Sequence, residues 1–219
     1  MPLYNHDIQL KNGLRLGLWH ITESVDSLLE LCANQQALSD AQRAEAISFA
    51  SARRQREYLA TRLLCRHMLG RAVSIGHSPA GRPYISSDTG PDIPVSISHT
   101  DSMAAVLLYG PGCASAVDVE RITPRIERIS GKFLTPGELS RIPAVSWLEH
   151  LYIHWCAKEA MYKAYNISGY DYQNSYALYG ISADGIHKGR VAANGNIIRE
   201  FDVMSFRIMD YVLCVATVL

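Results

Sequence analysis

The chain has 219 residues, a length that suits one large domain or two small ones. Apolar residues make up 48 % of it, enough for a sizeable core. Its 21 basic and 21 acidic residues cancel, which excludes a bulk charge that would draw nucleic acid or an anionic membrane and leaves any anion site to a local cluster.

Met1 to Leu10 is mixed and polar and lacks the apolar centre of a signal peptide. Leu14, Leu16 and Leu18 alternate with Arg15 and Gly17, so Leu14 to His20 is expected to be a strand. Ser24 to Leu31 reads as a short helix with Thr22 or Ser24 as its cap, and Ser39 precedes a second over Ala41 to Ala50. Arg53 to Val73 is the longest helical stretch of the first half, with Leu59, Leu63, Leu64 and Met68 on one face. His77 to Asp92 changes to Gly, Pro, Ser and Asp and reads as loop. Three β-rich runs follow, Pro94–Ser98, Met103–Tyr109 and Cys113–Val119, with Gly110-Pro111-Gly112 as a turn before the last.

Helical signals resume at Glu138 and strengthen over Trp147 to Tyr165. Tyr170 to Gly180 reads as a loop or irregular strand. The chain closes with β-rich segments at Gly189–Ala193, Arg199–Ile208 and Tyr211–Val218, and Asn194-Gly195 marks a hairpin. The apolar run from Tyr211 to Leu219 is too short to span a bilayer as a helix, so a soluble, cytoplasmic protein with no membrane partner is expected. Five scattered cysteines without a C-x-x-C pair read as reduced core thiols. His150 and His154 have a zinc-compatible i,i+4 spacing, but no third ligand is near in sequence, so packed interface histidines are expected. Ser96–Leu107 and Ser205–Ala216 echo each other, each with Asp five residues after Ser, which points to two similar α+β halves meeting near residue 110, over 1–110 and 111–219.

Four constellations carry chemistry. In Ala116-Val117-Asp118-Val119-Glu120 a strand would point both carboxylates one way and the valines into the core. Two such carboxylates suit Mg²⁺, although D-x-E by itself also describes a solvated strand end. In Trp155-Cys156-Ala157-Lys158-Glu159-Ala160-Met161-Tyr162-Lys163, Glu159 and Lys163 are i,i+4 neighbours on an otherwise apolar helix, where buried charge needs partners. Val95-Ser96-Ile97-Ser98-His99-Thr100 runs a strand into hydroxyl and imidazole groups that can cradle phosphate. Gly81-Arg82-Pro83 offers close backbone approach, a guanidinium and a stiff loop.

The order G-R-P, S-I-S-H-T, V-D-V-E, W-C-A-K-E-A-x-x-K closely resembles the 4′-phosphopantetheinyl transferase superfamily, and most the long, single-chain Sfp-type branch. The resemblance implies an α+β fold of two pseudo-symmetric halves with the active site at their interface, and usually a monomer. It implies transfer of 4′-phosphopantetheine from coenzyme A to a serine of an apo acyl- or peptidyl-carrier protein, with Mg²⁺ as cofactor and adenosine 3′,5′-bisphosphate released. Asp118, Glu120 and Glu159 would hold the magnesium; Lys158 and Lys163 would contact the pyrophosphate and carrier side. Ser98 and His99 would bind coenzyme A phosphates, and Gly81, Arg82 and Pro83 would flank the adenosine end. Glu138, within Phe133–Glu138, would be a candidate proton acceptor, alongside Glu159, and Arg62 would match a first-half arginine. Ala116 stands where the family often has glycine, and Cys156 where Ser or Thr is usual. Basic positions of some members fall on Gln42 and Glu45, leaving Arg43, Arg53 and Arg54 as substitutes toward the 3′-phosphate. The competing readings are a non-catalytic coenzyme A or carrier binder of the same fold and a magnesium-dependent nucleotide phosphohydrolase.

Overall fold

β1 (Leu3–Gln9) and β2 (Arg15–His20) pair antiparallel across a short 3-10 turn at Lys11–Gly13. Asn12 and Gly13 take φ of 60° and 73° there, values these two residue types adopt at little cost. The expected leucine alternation is present, with Leu16 and Leu18 fully buried. This is a computed structural model, and it describes residues 3–87, 90–165, 171–182 and 184–219. The chain divides into two compact units, Met1–Gly112 and Cys113–Leu219.

In the first unit, α1 (Val25–Asn34) starts at Ser24, whose Oγ accepts from the Ser27 amide at 3.1 Å. α2 (Asp40–Ser48) starts in a capping box, Ser39 and Gln42 each accepting the other's backbone N–H. α3 (Ala52–Leu69) buries Leu59, Leu63, Leu64 and Met68 as their spacing predicts. It stops four residues before Val73 because Gly70 turns left-handed at φ 70° and its N–H bonds the Arg66 carbonyl at 2.7 Å. β3 (Ile75–His77) and β4 (Pro83–Ile85) form a hairpin inside the stretch expected to be loop; residues 88–89 of that stretch lie outside the described residues. Strands of three residues are too short to show an alternation. β5 (Ile93–Thr100) and β6 (Met103–Leu108) complete an antiparallel sheet in the order β1-β2-β6-β5-β4-β3. α3 packs on this sheet through Ala104, Val106 and Leu108. Gly17 permits the approach: a Cβ there would stand 2.5 Å from Met68 Sδ and 2.9 Å from a Leu64 methyl.

The second unit opens with β7 (Ser115–Arg121), then a 3-10 segment at Pro124–Ile129 and two single-turn helices, α4 (Ser130–Phe133) and α5 (Pro136–Leu139). α6 (Trp147–Ala164) is the long helix expected from its apolar content. Tyr172–Ser175 is a helical turn, α7, and Tyr176–Tyr179 a strand, β8, where a loop or irregular strand was expected; Tyr170 lies outside the described residues. Asp171 explains the turn, since its side chain accepts from the Gln173 amide and caps it. β9 (Ile186–Ala193), β10 (Asn196–Ile208) and β11 (Tyr211–Val218) give an antiparallel sheet ordered β7-β11-β10-β9-β8. Asn194 and Gly195, at φ 51° and 80°, turn β9 into β10 as predicted. α6 lies against this sheet, packing on β7 and β11 most of all. Gly189 makes room for it, because a Cβ there would meet Met161 Sδ at 2.3 Å.

Each unit thus pairs an antiparallel sheet with one long helix, an α+β architecture in two halves. The two echoing segments are the same element twice: Ser96–Leu107 lies in the β5–β6 hairpin and Ser205–Ala216 in the β10–β11 hairpin. Among the described residues, no helix is long and apolar enough to cross a membrane. All five cysteines are free thiols.

Candidate active site

β7 is paired only along one side with β11, and Asp118 stands opposite Cys214 and Glu120 opposite Val212 among the described residues. Ala116 belongs to the core under α6, as do Cys214 and Val212. Strand alternation then puts Asp118 and Glu120 on that same helix-facing side. Val117 and Val119 are buried as expected, on the face of the sheet opposite the core under α6. The carboxylates therefore meet α6 directly.

Three α6 residues at i,i+4 steps face them. Trp155 Nε1 donates to Glu120 Oε1 at 3.5 Å, and Lys163 Nζ donates to Asp118 Oδ1 at 2.7 Å and to the Val117 carbonyl at 3.2 Å. Between them lies Glu159, whose Oε1 accepts from the Tyr172 hydroxyl at 2.9 Å. Asp118 is buried, and Glu120 and Glu159 are half-buried. Burial, then the neighbouring Asp118, pushes Glu120 up to about 7. The same two causes raise Glu159. Burial and Glu159 also push the Tyr172 phenol up. Phe133, Trp155 and Tyr172 form an aromatic wall beside the acids, with centroids 5.1 and 6.1 Å apart. The Cys156 thiol neighbours Asp118 and donates to the Val212 carbonyl at 3.6 Å.

Among the described residues, no three His, Cys, Asp or Glu side chains are already arranged as a metal cage. Mg²⁺ does not need one, because it commonly takes one or two carboxylates and completes its shell with water and substrate phosphate. The fit rests on the donors: oxygen ligands only, partly desolvated, with Asp118 raising both glutamates. A divalent cation would relieve that repulsion.

Lys158 and Glu138 are placed otherwise than the resemblance implies. Lys158 has no exposed surface and donates to the Phe133 carbonyl at 2.6 Å, Glu138 at 3.0 Å and the Gln173 carbonyl at 3.2 Å. Three protons meet three protein oxygens, and burial pulls the ammonium down from its ordinary value. Glu138 accepts from the Thr135 amide at 2.9 Å and from its hydroxyl at 3.1 Å as the capping box of α5. Both side chains are thus engaged in bracing the segment before α6.

In the first unit, a pocket of ≈ 320 Å³ is lined by Arg54, Glu57, Tyr58 and Arg62 of α3, Glu45 of α2, and His99, Pro83 and His77 of the sheet. Arg62 stacks on the Tyr58 ring, whose hydroxyl donates to Glu45 at 2.6 Å. Ser98, Gly81 and Arg82 are not in this lining. Ser98 alternates with His99 and is buried, and Gly81 at φ 78° turns the β3–β4 hairpin. Of the substitutes for basic residues, Arg54 lines this pocket, Arg53 stands behind it on Glu57 and Asp101, and Arg43 lines a different hollow beside Cys32. Gln42 is a helix-cap residue that also donates to the Val73 carbonyl at 2.9 Å.

His154 is buried with Nδ1 unpartnered among the described residues, and His150 Nδ1 donates to the Ser146 carbonyl at 3.1 Å. Tyr172 and Glu57 escape a reading by motif. Tyr172 has no periodic link to the acids it meets. Glu57 carries one signal, its i,i−4 and i,i−3 spacing to Arg53 and Arg54.

Residues 115–216 match the family described as the 4′-phosphopantetheinyl transferase superfamily. No match was found among curated proteins. The matched span opens on the strand of Asp118 and Glu120, contains the helix of Glu159 and Lys163, and runs into the last strand of the same sheet. Residues 115–216 form a 4′-phosphopantetheinyl transferase superfamily domain, within a chain built as two α+β halves.

Proposed function

We propose that the protein transfers the 4′-phosphopantetheine arm of coenzyme A to a serine of an acyl- or peptidyl-carrier protein. The observation that carries this reading is the meeting of Asp118 and Glu120 from one strand with Glu159 and Lys163 from one helix inside the matched domain. Asp118, Glu120 and Glu159 would hold Mg²⁺, which would supply charge neutralisation at the pyrophosphate.

The serine oxygen of the carrier bonds to the phosphorus that bears pantetheine. The bridging P–O bond breaks, and adenosine 3′,5′-bisphosphate leaves. Glu159, directly or through a water, takes the serine proton; Glu138 is engaged by Thr135 and Lys158 and is set aside as the acceptor. Lys163 carries positive charge to the leaving oxygen, a contact of about 2–4 kcal/mol in the transition state. The pocket of the first unit takes a phosphate of the donor through Arg54, His99 and Arg62.

Incubation with coenzyme A, Mg²⁺ and an apo-carrier, read by intact mass, tests the reading. The carrier gains the phosphopantetheine mass with the wild type and not with Asp118→Ala, while the variant's circular dichroism is unchanged. Bisphosphate release without a carrier would make the protein a phosphohydrolase. Coenzyme A binding without any added mass would make it a binder.

A further inference from the structure

Glu57 is the buried acid of the first unit's pocket, with 4 % of its surface exposed. Its Oε1 accepts from Arg53 Nε at 2.8 Å; its Oε2 stands 3.3 Å from His99 Nδ1 and 3.7 Å from Arg54 Nη1. Arg54 Nη1 in turn lies 3.0 Å from His99 Nε2. A guanidinium has donors and no acceptor, so Nε2 must offer its lone pair. The proton of a neutral ring then sits on Nδ1, facing Glu57.

We propose that Glu57 is a positioning residue: it holds His99 as the Nδ1–H tautomer and makes His99 take up one proton when a phosphate replaces Arg54 at Nε2. The proposal rests on the reading of this pocket as a phosphate site for coenzyme A. A phosphate oxygen at Nε2 finds no donor on the neutral ring. A proton from solvent on Nε2 supplies one, and the resulting imidazolium lies between the phosphate and Glu57. Arg54 moves its Nη1 from imidazole to phosphate.

The surrounding charges favour this coupling. On α3, Arg54 and Arg62 oppose a proton on His99, and Glu57 favours it. From α2, Glu45 adds a second negative charge, and from β3, His77 lines the same space. Arg53 stands behind Glu57 and is paired with Asp101 at 2.6 Å. Two carboxylates thus face two guanidiniums in the pocket until a dianion tips the balance toward protonation.

Calorimetry with adenosine 3′,5′-bisphosphate in two buffers of different ionisation heat tests the coupling. At pH 7.5 phosphate monoesters, with a second pKa near about 6, are mostly dianions. The wild type takes up protons on binding, and its affinity falls by up to about tenfold per unit as pH rises from 7 to 9. Glu57→Gln and His99→Gln take up none and lose that pH dependence; if Glu57→Gln does not fold, His99→Gln carries the comparison. Nitrogen-15 NMR of the ligand-free protein shows His99 as Nδ1–H in the wild type and a shift toward the other tautomer in Glu57→Gln. An Nε2–H ring in the wild type, or binding without proton uptake, overturns the proposal. If the bisphosphate does not bind while the tautomer still depends on Glu57, the coenzyme A reading of the pocket falls and the hold of Glu57 on His99 stands.

Discussion

Lys158 and Lys163 sit five positions apart on α6, and that spacing sends them to different surroundings. Lys163 reaches the Asp118 carboxylate with about a third of its side chain exposed, while Lys158 is sealed among protein oxygens. Lys158 therefore braces the structure through Glu138 and two carbonyls. Lys158→Met leaves the mostly buried Glu138 without its cation and costs about 3 kcal/mol of stability. Adding Glu138→Gln recovers part of that loss, because the charge without a counterion is gone. Urea unfolding midpoints of the single and double variants measure it, and an unchanged midpoint in Lys158→Met would remove the brace. In sequence the spacing within K-E-A-x-x-K tells that the two lysines point apart, but not which of them meets Asp118 and which is sealed.

At the scale of elements, α6 both covers a core and carries Glu159 and Lys163 of the proposed site. Its Trp155, Glu159 and Lys163 stripe meets β7, while Cys156, Ala157 and Ala160 fill the core beneath. Another face of the same helix holds His154, pulled down to about 4 by burial, with Glu138 opposing and Lys158, His150 and His187 adding to the effect. Its ordinary value of 6.5 returns when the chain unfolds. The unfolded chain then binds more protons between those values, so this contribution is full above pH 6.5 and is lost as pH falls toward 4. The span corresponds to about 3 kcal/mol. His154→Leu removes the dependence and also the unpartnered Nδ1, so its stability falls less between pH 7 and 4.5 than that of the wild type. Chemical denaturation at the two pH values checks this, and equal losses would show that His154 is not the group responsible.

Across the whole molecule, four of the five cysteines are buried and Cys113 is exposed. A thiol reagent under native conditions modifies about one group per chain at once, and all five after unfolding; fast native modification of more than one would contradict the packing of both cores. Periodicity and turn residues alone were enough to mark the long helices, the β-rich runs that become β5 and β6, and the Asn194-Gly195 turn, because each is a local pattern, and the two-halved plan showed as a short echo of Ser and Asp before an apolar strand. The motif series was likewise visible as a set of residue types and spacings. What each motif residue does was decided by tertiary contacts. The face of β7 that meets α6, the sealing of Lys158, the turning away of Ser98 from the pocket beside His99, and the arrival of Tyr172 at Glu159 all depend on which surfaces pack together. Burial and neighbouring charge, which set the behaviour of every acid and base here, belong to that packing and leave no mark in the order of residues.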